Sequence, residues 1–252
     1  MSGTTIAVTP TIRKLASGAP SSTIFIGNSF FYYNNGIHSL ITKFLGAVDP
    51  SFQYRSAMAT ISGSGLDWHD VESYFRPNAV GRYSFDADNN VVFNNLTKLF
   101  DVAIIMDSSQ GPVHPVLAPV FDEYIGRNAA TIRKHGAEPV FFMSWAYADK
   151  PEMTAPLAER YTEAGNRLNA LVIPAGLAFA RSIAARPALN LYVDDKRHPS
   201  LPGTYLAACT TYACLFGKSP VGINWLAGLD SDTAHFLQTI AIETVQGYFS
   251  KA

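Results

Sequence analysis

Four short runs of apolar, β-branched or aromatic residues constrain this chain most. They are Thr23-Ile24-Phe25-Ile26, Val102-Ala103-Ile104-Ile105-Met106, Pro139-Val140-Phe141-Phe142-Met143 and Leu191-Tyr192-Val193, with Phe52 to Met58 a weaker fifth. Side chains that are apolar on successive positions suit strands buried on both faces, as in a parallel sheet. Helical periods fall between the runs: Leu157, Tyr161, Ala164, Leu168 and Leu171 are spaced 4, 3, 4 and 3 residues apart, as are Leu201, Tyr205, Ala208, Tyr212 and Leu215. Each set makes one apolar stripe able to cover a sheet face. Further helices are expected near Gly36 to Ala47 and from Asp230 to Phe249. Such alternation predicts an α/β chain, a three-layer α/β/α sandwich around a mostly parallel sheet with right-handed crossovers.

Asp67 to Asn95 fits that scheme least. It holds Trp68, His69, Tyr74, Phe75, Tyr83 and Phe85 with Pro77 and Gly81, and reads as a short helix and then a loop or hairpin over one end of the sheet. Aromatic excursions of this kind line pockets or pack on themselves as surface loops. No repeat or linker divides the chain, so the expected organisation is an N-terminal extension over 1–20 and one domain over 21–252.

Composition narrows the function classes. With 48% hydrophobic and 15% charged residues among 252, the chain is too apolar for disorder. Its 19 Lys+Arg against 20 Asp+Glu give a net charge of −1, without the basic clusters that nucleic-acid binding needs. Cys209 and Cys214 lie five apart in a predicted helix and point to different faces, so neither a disulfide framework nor a zinc cluster follows. Thr4 to Ile12 is only mildly apolar and precedes the Arg13-Lys14 pair; it does not read as a signal peptide. No window resembles a membrane span, and the expected compartment is cytoplasmic.

Ligands of open α/β sheets bind at the carboxyl ends of the strands. There, Gly27-Asn28-Ser29-Phe30 follows the first run, and Asp194-Asp195-Lys196-Arg197-His198-Pro199 follows the last. A serine becomes a nucleophile when a base takes its proton and a third group orients that base. Asp195 and His198, three apart in a turn, let a carboxylate meet one ring nitrogen while the other faces Ser29. Taken singly, a Ser after Gly-Asn is a turn or cap residue and Asp-x-x-His a hydrogen-bonded turn. The joint placement is what points to catalysis.

On these residues the chain resembles the SGNH (GDSL-like) serine hydrolases. Ile24-Phe25-Ile26-Gly27-Asn28-Ser29-Phe30 is similar to their first block, and Asp195-x-x-His198 to their last. His198-Pro199-Ser200-x-x-Gly203-Thr204-Tyr205-Leu206-Ala207-Ala208, preceded by Val172 to Phe179, looks like bacterial members. The resemblance implies a flavodoxin-like sheet order, with Ser29 as nucleophile, His198 as base and Asp195 as its orienting partner. It implies an oxyanion hole from the amides of Ser29 and a second-block glycine, Gly63 being favoured over Gly65. The third block departs from the family's Gly-x-Asn-Asp: Asp107-Ser108-Ser109-Gln110-Gly111-Pro112 has no Asn. The remaining donor is then Ser108, Ser109 or Gln110.

Asn28, Phe30, Trp68, His69 and His114 are the candidate substrate contacts, with His69 read otherwise as a partly buried ring packed on Trp68 and His114 as a loop residue held by prolines, and Phe30-Phe31-Tyr32-Tyr33 gives the pocket apolar, stacking walls. His38, His135 and His235 fall in helical segments and read as surface or packing residues. With no HExxH, P-loop or GxGxxG after a strand, no metal and no cofactor is expected. The expected activity is hydrolysis of a small acyl ester, an acetyl ester of a sugar or aromatic alcohol among them. Two readings stand beside it: acyl transfer or thioester cleavage, and a catalytically silent domain that binds carbohydrate or protein.

Overall fold

The computed structural model describes residues 7–76, 79–80 and 83–250; Thr4 to Ile6 of the stretch weighed as a leader, and Pro77 and Gly81, lie outside these residues. In chain order the elements are β1 (Ser22–Gly27), α1 (Ser29–Tyr32), α2 (Ile37–Val48), β2 (Arg55–Thr60), α3 (Val71–Tyr74), β3 (Tyr83–Phe85), β4 (Val91–Phe93), β5 (Val102–Ile105), α4 (Ala118–Lys134), β6 (Glu138–Phe142), α5 (Thr154–Leu168), β7 (Leu171–Ile173), α6 (Ala175–Ala185), α7 (Leu201–Phe216) and α8 (Ser231–Ser250).

The strands β2-β1-β5-β6-β7 form one sheet in that order, every pairing parallel. This is the flavodoxin-like order expected from the sequence. The continuous apolar runs are explained by their two-sided burial. Phe25, Val102, Ile104, Val140, Phe142, Leu171 and Ile173 join a core with α2, α6, α7 and α8. Their alternates Ile24, Ile26, Ala103, Ile105, Phe141 and Val172 join a second core with α4 and α5. Helix α7 is buried from Gly203 through Leu215, because α8 covers the side that faces away from the sheet. Cys209 and Cys214 are buried there as free thiols, and loss of solvation pushes both thiols up.

Two strand expectations fail. Leu191 to Val193 is not in the sheet; Tyr192 makes only one antiparallel bridge, to Pro199. The fifth strand is Leu171–Ile173, and Leu171 had been counted into the preceding helix. Asn169, left-handed at φ 49°, ends that helix, and the Ala170 amide donates back to Gly165 O at 2.9 Å, which turns the next three residues into the sheet. A three-residue strand carries too little sequence for its period to stand out. The weak run at Phe52 to Met58 is edge strand β2, displaced to Arg55–Thr60.

Residues 7–20 lie against the domain: Leu15 enters the first core, Thr11 N–H donates to Asn166 Oδ1 at 2.8 Å and Ala16 N–H to Glu138 Oε1 at 2.9 Å. The aromatic excursion forms short helix α3 and the antiparallel β3–β4 hairpin, whose Tyr83, Phe85, Val91, Val92 and Phe93 are exposed. Among the described residues, no helix is long and apolar enough to cross a membrane.

The N-terminus of α7 rests on the loop that holds Asp195 and His198. Gly203 permits this approach: a Cβ there would lie 2.3 Å from Leu191 O. Gly203→Ala is therefore expected to destabilise the fold by about 1–3 kcal/mol, read as a lower midpoint in chemical denaturation.

Candidate active site

The site is assembled around the last residue of β1. Gly27 O accepts from Ile61 N–H at 3.0 Å, Ser64 Oγ–H at 3.1 Å and His69 Nε2–H at 3.0 Å. Next to it, Asn28 uses its whole side chain. Its Oδ1 accepts from Phe30 N–H at 3.2 Å, capping α1, and its Nδ2 donates to Ser64 O at 3.0 Å and Asp107 O at 3.1 Å. One buried amide thus fixes the turn that carries Ser29 to the loops after β2 and β5. An aspartate has no N–H with which to make the last two bonds.

Ser29 Oγ lies 2.7 Å from His198 Nε2, and His198 Nδ1 lies 2.5 Å from Asp195 Oδ2. A carboxylate only accepts, so Nδ1 carries the proton and Nε2 is left to accept from Ser29. Asp195 Oδ1 also accepts from Arg197 N–H at 2.8 Å and His198 N–H at 2.9 Å. Burial pushes the Asp195 carboxyl up, but these hydrogen bonds outweigh it and hold it below its ordinary value.

Aromatic rings hold the imidazole in place. Tyr33 stacks on His198 at 4.4 Å and 11°, and Phe30 meets it edge-on at 5.5 Å and 77°. Phe30 in turn stacks on Trp145 at 4.6 Å and 5°. Trp145 Nε1–H donates to Arg197 O at 3.0 Å, and Asn34 Nδ2–H to Pro199 O at 3.1 Å, so the Asp195-to-Pro199 loop is tied down on two sides. Phe30 is therefore a buried support for His198, not the substrate contact expected from its position. Asn28, also expected there, is spent on internal bonds.

His69 lies in the interior, as its reading as a buried, packed ring requires, with Tyr74 against it. It is 5% exposed, and its Nδ1 accepts from Tyr74 Oη–H at 2.9 Å while Nε2–H meets Gly27 O and Ser64 Oγ, at 3.0 Å each. Loss of solvation lowers its pKa and favours the neutral ring that this pattern requires. Both nitrogens hold the loop after β2, leaving none for a ligand. Trp68 is 60% exposed on the surface beside it. His114 is half-buried, with Nδ1 accepting from Val116 N–H at 3.3 Å.

The expected oxyanion donors occupy three strand ends. Gly63 has φ +74°, a conformation that favours glycine, in an exposed turn after β2. Among the described residues, the amides of Ser29 and Gly63 have no hydrogen-bond acceptor, nor does the side-chain amide of Gln110. Ser109 Oγ lies 2.6 Å from Tyr147 Oη.

Asp107 is the structural member of its loop. Its Oδ1 accepts from Leu66 N–H at 2.8 Å, and burial raises its pKa to about 6 against the pull of that bond. An open groove of about 420 Å³ runs between the loop after β6 and α6, lined among others by Tyr147, Glu152, Phe179, Ile183 and Tyr192. Phe179 stacks on Trp145 at 4.2 Å, so this groove lies across the aromatic stack from Phe30 and His198.

Sequence reasoning did not single out Trp145 or Tyr147, and took Tyr33 only as part of an aromatic run. Trp145 and Tyr147 follow the apolar run ending at Met143, where a search of strand ends finds them.

No family model matches the sequence, and no curated protein matches it. Solved structures match the fold. A DUF4886 family protein from Bacteroides uniformis is 17% identical, with a TM-score of 0.63 over 88% of this chain and 93% of that one. A protein from Slackia heliotrinireducens assigned to the SGNH hydrolases is 16% identical, with a TM-score of 0.54 over 77% of this chain and 98% of that one. A catalytic mutant of an acetylxylan esterase from Geobacillus stearothermophilus, with an aspartate replaced, is 15% identical, with a TM-score of 0.54 over 81% of this chain and 97% of that one. A second catalytic mutant of that esterase has a serine replaced. The chain has the SGNH hydrolase fold.

Two outcomes follow from these contacts. Asn28→Ala is expected to cost about 2 kcal/mol or more, from a lost cap and two buried carbonyls without donors, measured by urea unfolding. For Asp107 the folded carboxyl holds its proton to about pH 6 while the unfolded one releases it near the ordinary carboxyl value of 3.8. Its contribution to stability is thus greatest below the unfolded pKa and is lost as pH rises to the folded one. Asp107→Asn, which keeps the acceptor for Leu66, is expected to flatten that part of a pH series of melting temperatures.

Proposed function

We propose that this chain is a serine hydrolase that cleaves a small, neutral carboxylic ester through an acyl-enzyme. One observation carries the reading: Ser29 Oγ is 2.7 Å from His198 Nε2, and the far nitrogen of that ring is 2.5 Å from Asp195. Ser29 Oγ attacks the ester carbonyl carbon as its proton passes to His198 Nε2, and the carbonyl oxygen becomes the oxyanion. Collapse of this intermediate expels the alcohol, which takes the proton from His198. Water then attacks the acyl-Ser29 carbonyl, giving a proton to His198; the carboxylic acid leaves and Ser29 recovers its proton. Asp195 keeps the imidazole in the needed tautomer and stabilises its cation.

The amides of Ser29 and Gly63, both without acceptors among the described residues, are assigned to the oxyanion, together with a side chain of the third block. This reading agrees with the fold, and with catalytic mutants of the acetylxylan esterase that replace a serine and an aspartate. It also suits the half-buried ring of Tyr33 stacked on the imidazole, an apolar neighbour that favours an uncharged substrate. The mechanism needs no cofactor, and the partner it calls for is a small-molecule ester. Trp68 and His114 are retained as candidate substrate contacts at the mouth.

The test is turnover of p-nitrophenyl acetate and butyrate. Ser29→Ala and His198→Ala are each expected to lower kcat by about 10⁴-fold or more, with the melting temperature little changed. Turnover that survives both substitutions overturns the mechanism, and absence of turnover on an ester panel favours the silent binding domain. Acyl-chain profiling with thioester and alcohol acceptors separates hydrolysis from acyl transfer and thioester cleavage.

A further inference from the structure

The third block has no asparagine, and three side chains there, Ser108, Ser109 and Gln110, are able to donate to an oxyanion. We infer that Ser109 is the donor, and that Tyr147 is the positioning residue that makes it one. The inference rests on the serine-esterase reading above and names a residue outside the family's blocks.

The argument begins with proton accounting. A serine hydroxyl has one proton to give and room to accept. Ser109 Oγ lies 2.6 Å from Tyr147 Oη, the side-chain partner of each among the described residues. When Tyr147 donates to Ser109, the Ser109 proton is released for another acceptor. An oxyanion accepts it, and the chain Tyr147 O–H to Ser109 O–H to O⁻ is strengthened along its length, since each bond polarises the next. In the opposite sense Ser109 spends its proton on the phenol, so a developing negative charge selects the productive orientation.

Tyr147 is built to hold that place. The Arg197 guanidinium lies 4.0 Å over its ring and is itself ion-paired with Asp149. The Arg197 carbonyl accepts from Trp145 Nε1–H at 3.0 Å, and Ala148 N–H donates to Lys196 O at 3.0 Å. Arg197 adjoins His198, and its amide donates to Asp195. Tyr147 therefore braces the loop of the acid–base pair against the loop of the third block. Gln110, by contrast, has no side-chain partner among the described residues to fix its rotamer, and an unfixed donor must be ordered in the transition state at an entropic cost.

The experiment measures kcat and KM on p-nitrophenyl acetate for the full chain carrying Tyr147→Phe, Ser109→Ala, the double substitution, Gln110→Ala and Ser29→Ala, with a thermal melt of each. Tyr147→Phe keeps the ring under Arg197 and removes only the hydroxyl. Ser109→Ala is expected to lower kcat by about 100-fold, as loss of one oxyanion donor does. Tyr147→Phe is expected to lower it about 10-fold, each with KM changed by less than about 2-fold, and the double variant to match Ser109→Ala alone. A merely structural Tyr147 gives losses that multiply with those of Ser109→Ala, which overturns the inference. So does a Tyr147→Phe enzyme within about 2-fold of the parent, or a loss of kcat in Gln110→Ala without one in Ser109→Ala. Unchanged turnover in Ser29→Ala, or none in the parent chain, defeats the esterase reading and this inference with it.

Discussion

The junction of the loops after β1, β2 and β5 hangs on the side chain of Asn28. It is buried, and every polar atom it has is used: one oxygen caps the helix that starts at Ser29, and two N–H groups reach the carbonyls of Ser64 and Asp107. The neighbouring Gly27 carbonyl gathers three donors from the loop after β2. Loops that leave adjacent strands have no ladder to fix their relative positions. Here a buried amide with no slack does so, because any loop that drifts leaves a carbonyl unpaired away from water.

The other half of the site is held by different forces. Asp195 and His198 arrive on a loop with a single bridge residue pair behind it, far in sequence from Ser29. That loop is located by the indole N–H of Trp145, by Asn34, and by the close seat of Gly203 on Leu191. The imidazole is then fixed between the ring of Tyr33 and the edge of Phe30. Directional hydrogen bonds set the loop, and stacking sets the ring plane.

Much of this was legible beforehand. The continuous apolar runs, read as strands buried on both faces, pointed to a parallel sheet, because burial on two sides leaves no polar alternation; the order of its strands came only with the family resemblance. Ser29 was legible as a candidate because it follows directly on β1, whereas Asp195 and His198 were picked out by their spacing, the run before them not being a strand of the sheet. The fifth strand was missed: Leu171 to Ile173 is short and continues the apolar stripe of α5, and only the left-handed Asn169 breaks it. Leu191 to Val193 has strand composition, yet its one pairing is the local bridge from Tyr192 to Pro199.

The sequence by itself determined which residue types stand at the strand ends, and through them the fold and the chemistry on offer. Tertiary structure alone decided what each polar group does with its bonds. His69, Asn28 and Phe30 have the composition of a binding site, but His69 and Asn28 spend their donors and acceptors inside the protein, and Phe30 spends its face on Trp145 and its edge on His198. Hydrogen-bond partners separated by tens of residues are not encoded in any local pattern. They exist only once the loops after β1, β2 and β5 meet.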